Sequence, residues 1–213
     1  MTAPTIGFDA IHHTYTVNGR VAPSVTGVIR SAGLMPSYEV ADPSFGERVH
    51  DLTAEYDRDH PFEAPAIDMV ILDETGDRLS QCLSQWIAFR RDWCFVPEKV
   101  EKRVASTTVG YAGTVDRVGR IWMFDASGAS GTRRQLHAVI DIKTGEPSPW
   151  HALQTAGYVL ALGMERLATK RACVYLDPDR SYYRIEWHED PTDFSVFLAT
   201  VNLHNWKARN GIA

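Results

Sequence analysis

The sequence predicts a single mixed α/β domain in which a central β-sheet is flanked by helices. Two observations carry this reading. Six short runs between residues 99 and 187 are rich in β-branched and aromatic residues and bounded by turn residues. Segments of helical period with start and stop residues lie before, among and after those runs. The 213 residues suffice for one sizeable core. No internal repeat or strong linker divides the chain, so residues 1–213 form one domain, with the hairpin and helix of residues 1–35 as an appendage.

Residues 6–22 predict a hairpin, because Asn18-Gly19 is a favoured two-residue turn after His13-Thr14-Tyr15-Thr16-Val17. Ser24 then caps a short helix ending near Gly33. Ser44-Phe45-Gly46-Glu47 has capping-box spacing, which starts a helix at Phe45 and gives Glu47 a structural role. A longer helix is predicted over 67–91, its apolar positions including Leu72, Leu79, Leu83, Trp86 and Phe89. The predicted strands are 99–105, 113–118, 120–125, 137–143, 171–176 and 182–187. Residues 126–132 (ASGASGT) read as a flexible loop, closed by Arg133 and Arg134. Ser148 as N-cap, Pro149 at the first helical position and Gly163 past the end delimit a helix between the fourth and fifth strands. A last helix covers 192–209, turning Phe194, Phe197, Val201 and, as a further candidate, Trp206 toward the core.

Composition excludes several classes. The chain is 44% hydrophobic and 23% charged, as in ordinary globular proteins. No apolar run reaches the roughly 18 residues of a membrane span. Residues 1–9 lack the basic and apolar blocks of a signal peptide. Cys82, Cys94 and Cys173 are too scattered for a disulfide framework and fit a reducing cytoplasm. The net charge of −5 argues against indiscriminate nucleic-acid binding. Basic pairs at Lys102-Arg103, Arg133-Arg134 and Lys170-Arg171 read either as solvated surface or as phosphate contacts.

The chemistry is concentrated in three segments: GTVD (113–116), VIDIKTG (139–145) and LQTAGY (153–158). Alternate residues of a strand share a face, so Asp141 and Lys143 point one way and Ile140 and Ile142 the other. Gln154 and Tyr158 are four apart and share one helix face. Two carboxylates beside an ammonium suit metal-dependent phosphodiester cleavage. The carboxylates hold a hard divalent cation, which lowers the pKa of a bound water, while the lysine orients that water or stabilises developing charge.

This set, in this order, resembles the PD-(D/E)XK nuclease superfamily, in its RecB-like and phage-type exonuclease branch. Gly46-Glu47-Arg48-Val49-His50 is similar to the family's G-x-x-x-H helix, and Glu101 supplies its strand glutamate, with Glu98 as the nearest substitute. Gly113 to Asp116, Asp141 to Lys143, and Gln154 to Tyr158 follow, so that the resemblance covers residues 44–187. It implies a restriction-endonuclease-like core and a Mg²⁺- or Mn²⁺-dependent deoxyribonuclease, expected to act as an exonuclease. The implied catalytic set is Glu101, Asp116, Asp141 and Lys143. The implied metal ligands are Glu101, Asp116, Asp141, the Ile142 carbonyl and His50, around one or two ions. Gln154, Tyr158, Arg133 and Arg134 are the candidate DNA contacts. Tyr158 reads equally well as a buried aromatic with a satisfied hydroxyl. DNA is the implied partner, together with a recombination or single-strand-annealing protein. Some relatives hold an iron–sulfur cluster on four cysteines; three scattered cysteines predict none here.

Two other readings compete. One is a catalytically silent nucleic-acid-binding protein on the same fold, which the presence of Asp141 and Lys143 disfavours. The other is a phosphohydrolase acting on small nucleotides, for which no G-x-x-x-x-G-K-[ST] loop is present. A closed nucleotide-sized pocket would favour the latter, and an open groove with basic walls would favour DNA.

Overall fold

Asn18 and Gly19 adopt φ angles of 51° and 77°, the left-handed pair that a tight hairpin turn requires. Their turn joins β2 (Thr14–Val17) to β3 (Arg20–Ala22), and β1 (Ile6–Asp9) pairs antiparallel on the other side of β2. The predicted hairpin is therefore a three-stranded meander. The computed structural model from which these positions come describes residues 4–36, 43–61, 78–124 and 133–212.

The Ser24 hydroxyl accepts the Gly27 N–H at 2.9 Å and starts α1 (Val25–Ser31), which buries Val25, Val28 and Ile29. Next, α2 (Pro43–Asp59) begins at Pro43, so Ser44 lies inside the first turn instead of capping it. Proline fits there because the first helical N–H has no partner in any case. The described part of the long predicted helix is α3 (Arg78–Asp92). Its proposed beginning at 67–77, Leu72 included, lies outside the described residues, as does the predicted loop at 126–132.

Five strands follow: β4 (Val96–Ser106), β5 (Tyr111–Phe124), β6 (Arg133–Lys143), β7 (Lys170–Tyr175) and β8 (Arg184–Trp187). They form one sheet in chain order. Only the β6–β7 pair is parallel. A parallel pair needs a crossover, and α4 (Trp150–Leu162) supplies it. Finally α5 (Thr192–Arg209) packs against α4. The result is a mixed five-stranded sheet flanked by helices.

Three local expectations are corrected. The runs 113–118 and 120–125 are one continuous strand, β5. Gly119 is not a break: a Cβ there would lie 2.2 Å from the Val96 carbonyl oxygen and 2.9 Å from the Phe95 ring. The glycine admits the neighbouring backbone beside a register shift between Pro97 and Lys99. At α4 the N-cap is Pro149, without a side-chain bond, and Ser148 contributes its carbonyl to the His151 N–H. Gly163 ends that helix in the left-handed conformation, as predicted. Trp206 is half exposed and does not join the core.

The sheet separates two apolar layers. On one side α1, α4 and α5 contribute Val25, Ile29, Val159 and Phe197 against Val115 and Val139. Gly157 of α4 lets the Phe197 ring approach, since a Cβ would stand 2.6 Å from it. On the other side α2 and α3 contribute Val49, Trp86 and Phe89 against Ile140, Ile142 and Val174. Among the described residues no helix is long and apolar enough to cross a membrane.

Candidate metal centre

The sheet register brings two carboxylates together. The pairs Val100↔Arg117 and Lys102↔Val115 flank Glu101 and Asp116, which therefore stand opposite one another on β4 and β5. The β5–β6 ladder ends at Arg117↔Ile140, and past that point the Asp116 carboxylate accepts the Ile142 N–H at 2.7 Å. Helix α2 lays His50 across this opening. Its Nδ1 is 3.5 Å from Asp116 Oδ2 and 3.9 Å from Glu101 Oε1. One ligand atom from each of His50, Glu101 and Asp116 lies within 4.8 Å of the others, a group able to hold a metal ion. Two carboxylate oxygens and one imidazole nitrogen make a donor set for a divalent cation and do not by themselves select one.

Glu101 adopts φ 48° within its strand. A long side chain in that left-handed region carries strain of order 1–3 kcal/mol, and such strain concentrates at functional sites. Glu98 is excluded as its substitute: it lies at the register shift and pairs with Arg120 at 2.7 Å.

Asp141 and Lys143 occupy the next strand and form a direct ion pair. Asp141 is almost wholly buried and also accepts a 3.7 Å contact from the Cys173 thiol. Burial raises the Asp141 pKa, and Lys143 opposes that rise. Burial disfavours the Lys143 ammonium, but Asp141 outweighs it, so the lysine pKa rises. His50 follows the same logic: burial works against its charge, yet Asp116 and Glu101 prevail and raise its pKa. Asp141 thus borders the triad without belonging to it. Ile142 meets the site through its N–H.

Gln154 and Tyr158 share a face of α4, as predicted. Gln154 Nε2 donates to the Tyr158 hydroxyl at 3.0 Å, while Gln154 Oε1 is buried without a partner. Burial, with Asp141 and Asp116 adding to it, holds the Tyr158 hydroxyl protonated well above its usual range. Both residues line a cleft of about 740 Å³ that contains the triad. Phe8, His13 and Tyr15 of the N-terminal meander form its other wall. No lysine or arginine is among its described lining residues, whereas Glu47 and Asp51 are. The basic-walled groove expected for DNA is not what lines this cleft.

The basic pairs have separate fates. Arg133 and Arg134 start β6, and the seven residues from Arg134 to Asp141 span roughly 23 Å of strand. The structure does not bring them to the triad. Arg171 is buried against Asp193 at 2.8 Å and against the Ala152 carbonyl. Arg103 packs over the Phe8 ring at the rim of the cleft.

Behind the triad lies a network that no motif signals. Asp57 of α2 is buried among Arg90, Arg117 and Trp86. The one available hint is that Arg117 falls beside Asp116 on β5, where a charged residue must point into one of the apolar layers.

No family model matches the sequence, and no curated relative matches it. Among solved structures the chain is similar to one described as "Crystal structure of SSO0001", at 17% identity and a TM-score of 0.33, covering 84% of this chain and 81% of that one. A likeness at that score carries no argument about activity.

Proposed function

We propose that this chain is a Mg²⁺- or Mn²⁺-dependent deoxyribonuclease, acting from DNA ends, on a restriction-endonuclease-like core of the PD-(D/E)XK type. One observation supports it most. Residues taken from a helix and two strands by motif alone, His50, Glu101 and Asp116, present ligand atoms within 4.8 Å of one another beside the Asp141–Lys143 pair. The motifs fall on α2, β4, β5, β6 and α4 in the order the resemblance requires.

A divalent cation bound there would supply an acidified water and charge neutralisation for a phosphodiester. His50, Glu101 and Asp116 would hold it. Lys143 is kept as an ammonium by Asp141, so it donates hydrogen bonds to the attacking water or to the phosphoryl oxygens and does not accept a proton. Gln154 lines the same cleft with a buried acceptor that has no partner, and Tyr158 lines it with a hydroxyl that stays protonated. The water oxygen would bond to phosphorus as the P–O bond to the leaving nucleotide breaks, the water's proton passing to solvent and the leaving oxygen taking a proton from solvent.

A second reading is favoured by the cleft lining. Its size and its lack of lysine and arginine suit a small phosphodiester better than a duplex. Incubation of the protein with linear and circular DNA, single- and double-stranded, and with a small chromogenic phosphodiester, in Mn²⁺ or EDTA, decides between them. Degradation of linear DNA alone, abolished by EDTA and by Lys143→Gln, is the expected result. Turnover of the small ester with intact DNA supports the second reading. DNA binding without cleavage of either substrate leaves the silent-binder alternative.

A further inference from the structure

We propose that Arg117 is a positioning residue for the metal centre, one that sets Glu101, Asp116 and His50 relative to one another from behind. This rests on the metal reading above. The Arg117 side chain is wholly buried. Its Nε donates to Asp57 Oδ2 at 2.5 Å. One terminal nitrogen donates both to Glu101 Oε1 at 2.9 Å and to the Asp116 carbonyl at 2.8 Å. The other donates to Thr53 Oγ1 at 3.0 Å. The Thr53 hydroxyl in turn donates to the carbonyls of Val49 at 2.9 Å and of His50 at 3.1 Å.

Every candidate ligand is therefore one or two hydrogen bonds from a single guanidinium. Glu101 is gripped by its side chain, Asp116 by its main chain, and His50 through Thr53. The far end is anchored as well, because Arg90 and the Trp86 indole also bind Asp57, at 2.8 Å and 3.0 Å. A guanidinium is flat and rigid and fixes angles as well as distances, which an ammonium does not. The grip leaves Glu101 Oε2 for a cation. It also accounts for the unusual backbone of Glu101, since strained conformations persist where surrounding contacts over-determine them. Residues that orient metal ligands in this way typically change affinity by 10- to 100-fold.

The test is Mn²⁺ titration calorimetry on the full chain, with thermal unfolding in EDTA beside it. Arg117→Lys keeps the buried charge and removes the fork. Its expected effect is an affinity loss of about tenfold in the wild-type background and a smaller loss in a Glu101→Gln background, where only the grips on Asp116 and His50 remain. Thr53→Val removes one acceptor of the guanidinium and touches no ligand side chain. It is expected to weaken Mn²⁺ about threefold, the size of one modest hydrogen bond, and it carries the test if Arg117→Lys does not fold. Wild-type Mn²⁺ affinity in the folded variants, with only a lower melting temperature, overturns the proposal. So does an equal loss in both backgrounds, since Arg117 then does not act through Glu101. Absence of Mn²⁺ binding by the wild-type chain, or undiminished binding by Glu101→Gln, removes the metal reading itself and this inference with it.

Discussion

Asp57 and Asp116 are both buried aspartates contacted from α2 or its neighbours, yet their surroundings are opposite. Asp57 meets two guanidinium groups and an indole N–H, so its oxygens are saturated by donors. Asp116 has one main-chain donor, Ile142, and faces His50 and Glu101 across a cleft. The first arrangement closes a core, because a buried charge is tolerated when it is paired and fully bonded. The second leaves acceptor capacity aimed at solvent, which a cation can complete. Burial and charge are alike in the two places, and donor count separates the structural acid from the candidate ligand.

Breaking the closed site should have the largest effect. Asp57→Ala leaves Arg90 and Arg117 buried without their carboxylate and is expected to cost about 3–5 kcal/mol of unfolding free energy in urea titrations. A loss under about 1 kcal/mol would place Asp57 among ordinary surface pairs.

Histidines extend the comparison. Burial first, and then the nearby Lys143, lowers the pKa of His151 to about 4. Burial and then Arg171 does the same for His188, also to about 4. The unfolded chain therefore binds more protons between pH 4 and about 6.5, and stability must rise with pH across that window. It is complete above about 6.5 and falls as pH drops toward 4, by up to roughly 2–3 kcal/mol for each residue. His50 has the opposite sign: its contribution is present below its unfolded pKa and is lost as pH rises through the raised folded value. Urea titrations at pH 7, 5.5 and 4.5 should show the acid loss, and replacing His151 and His188 with glutamine should flatten it.

Opening the second site further should separate metal affinity from stability. Asp116→Asn is expected to weaken Mn²⁺ at least about tenfold, or 1.4 kcal/mol, while unfolding free energy moves by less than about 1 kcal/mol. A large stability loss would make Asp116 another Asp57. The smallest effect is expected at the far end of β6, where Arg134→Ala should leave Mn²⁺ affinity unchanged by calorimetry. If DNA affinity measured by fluorescence anisotropy falls in that variant, substrate runs along β6 beyond the cleft.

The elements that sequence made legible are those written in local signals. Asn18-Gly19 and Gly163 marked their turn and helix end because both need left-handed backbone. Asp141 and Ile142 went to opposite faces because strand period is fixed. Gly119 misled, since a glycine that admits a neighbouring carbonyl looks the same in one dimension as a glycine that ends a strand. The triad residues were legible one by one through their motifs, whereas the ordering of Asp141 behind Asp116 depends on where the β5–β6 ladder stops. Arg117 left only the hint of a charged residue beside Asp116 on β5, and its pairing with Asp57 was not legible. The two are 60 residues apart, and nothing in either neighbourhood marks a pairing that only the crossing of α2 over the sheet creates.

The left-handed Glu101 has one more consequence. Strand β4 is an outer strand of the five-stranded sheet, and an outer strand with a regular free edge invites another chain to pair with it. Here that edge is interrupted twice, by the register shift at Pro97–Lys99 and by the turned backbone of Glu101. Lys99, Lys102 and Arg103 stand exposed along it. The geometry that aims a ligand inward also spoils the edge as a template, so that relaxing Glu101 into a regular strand conformation would put solubility at risk as well as the site.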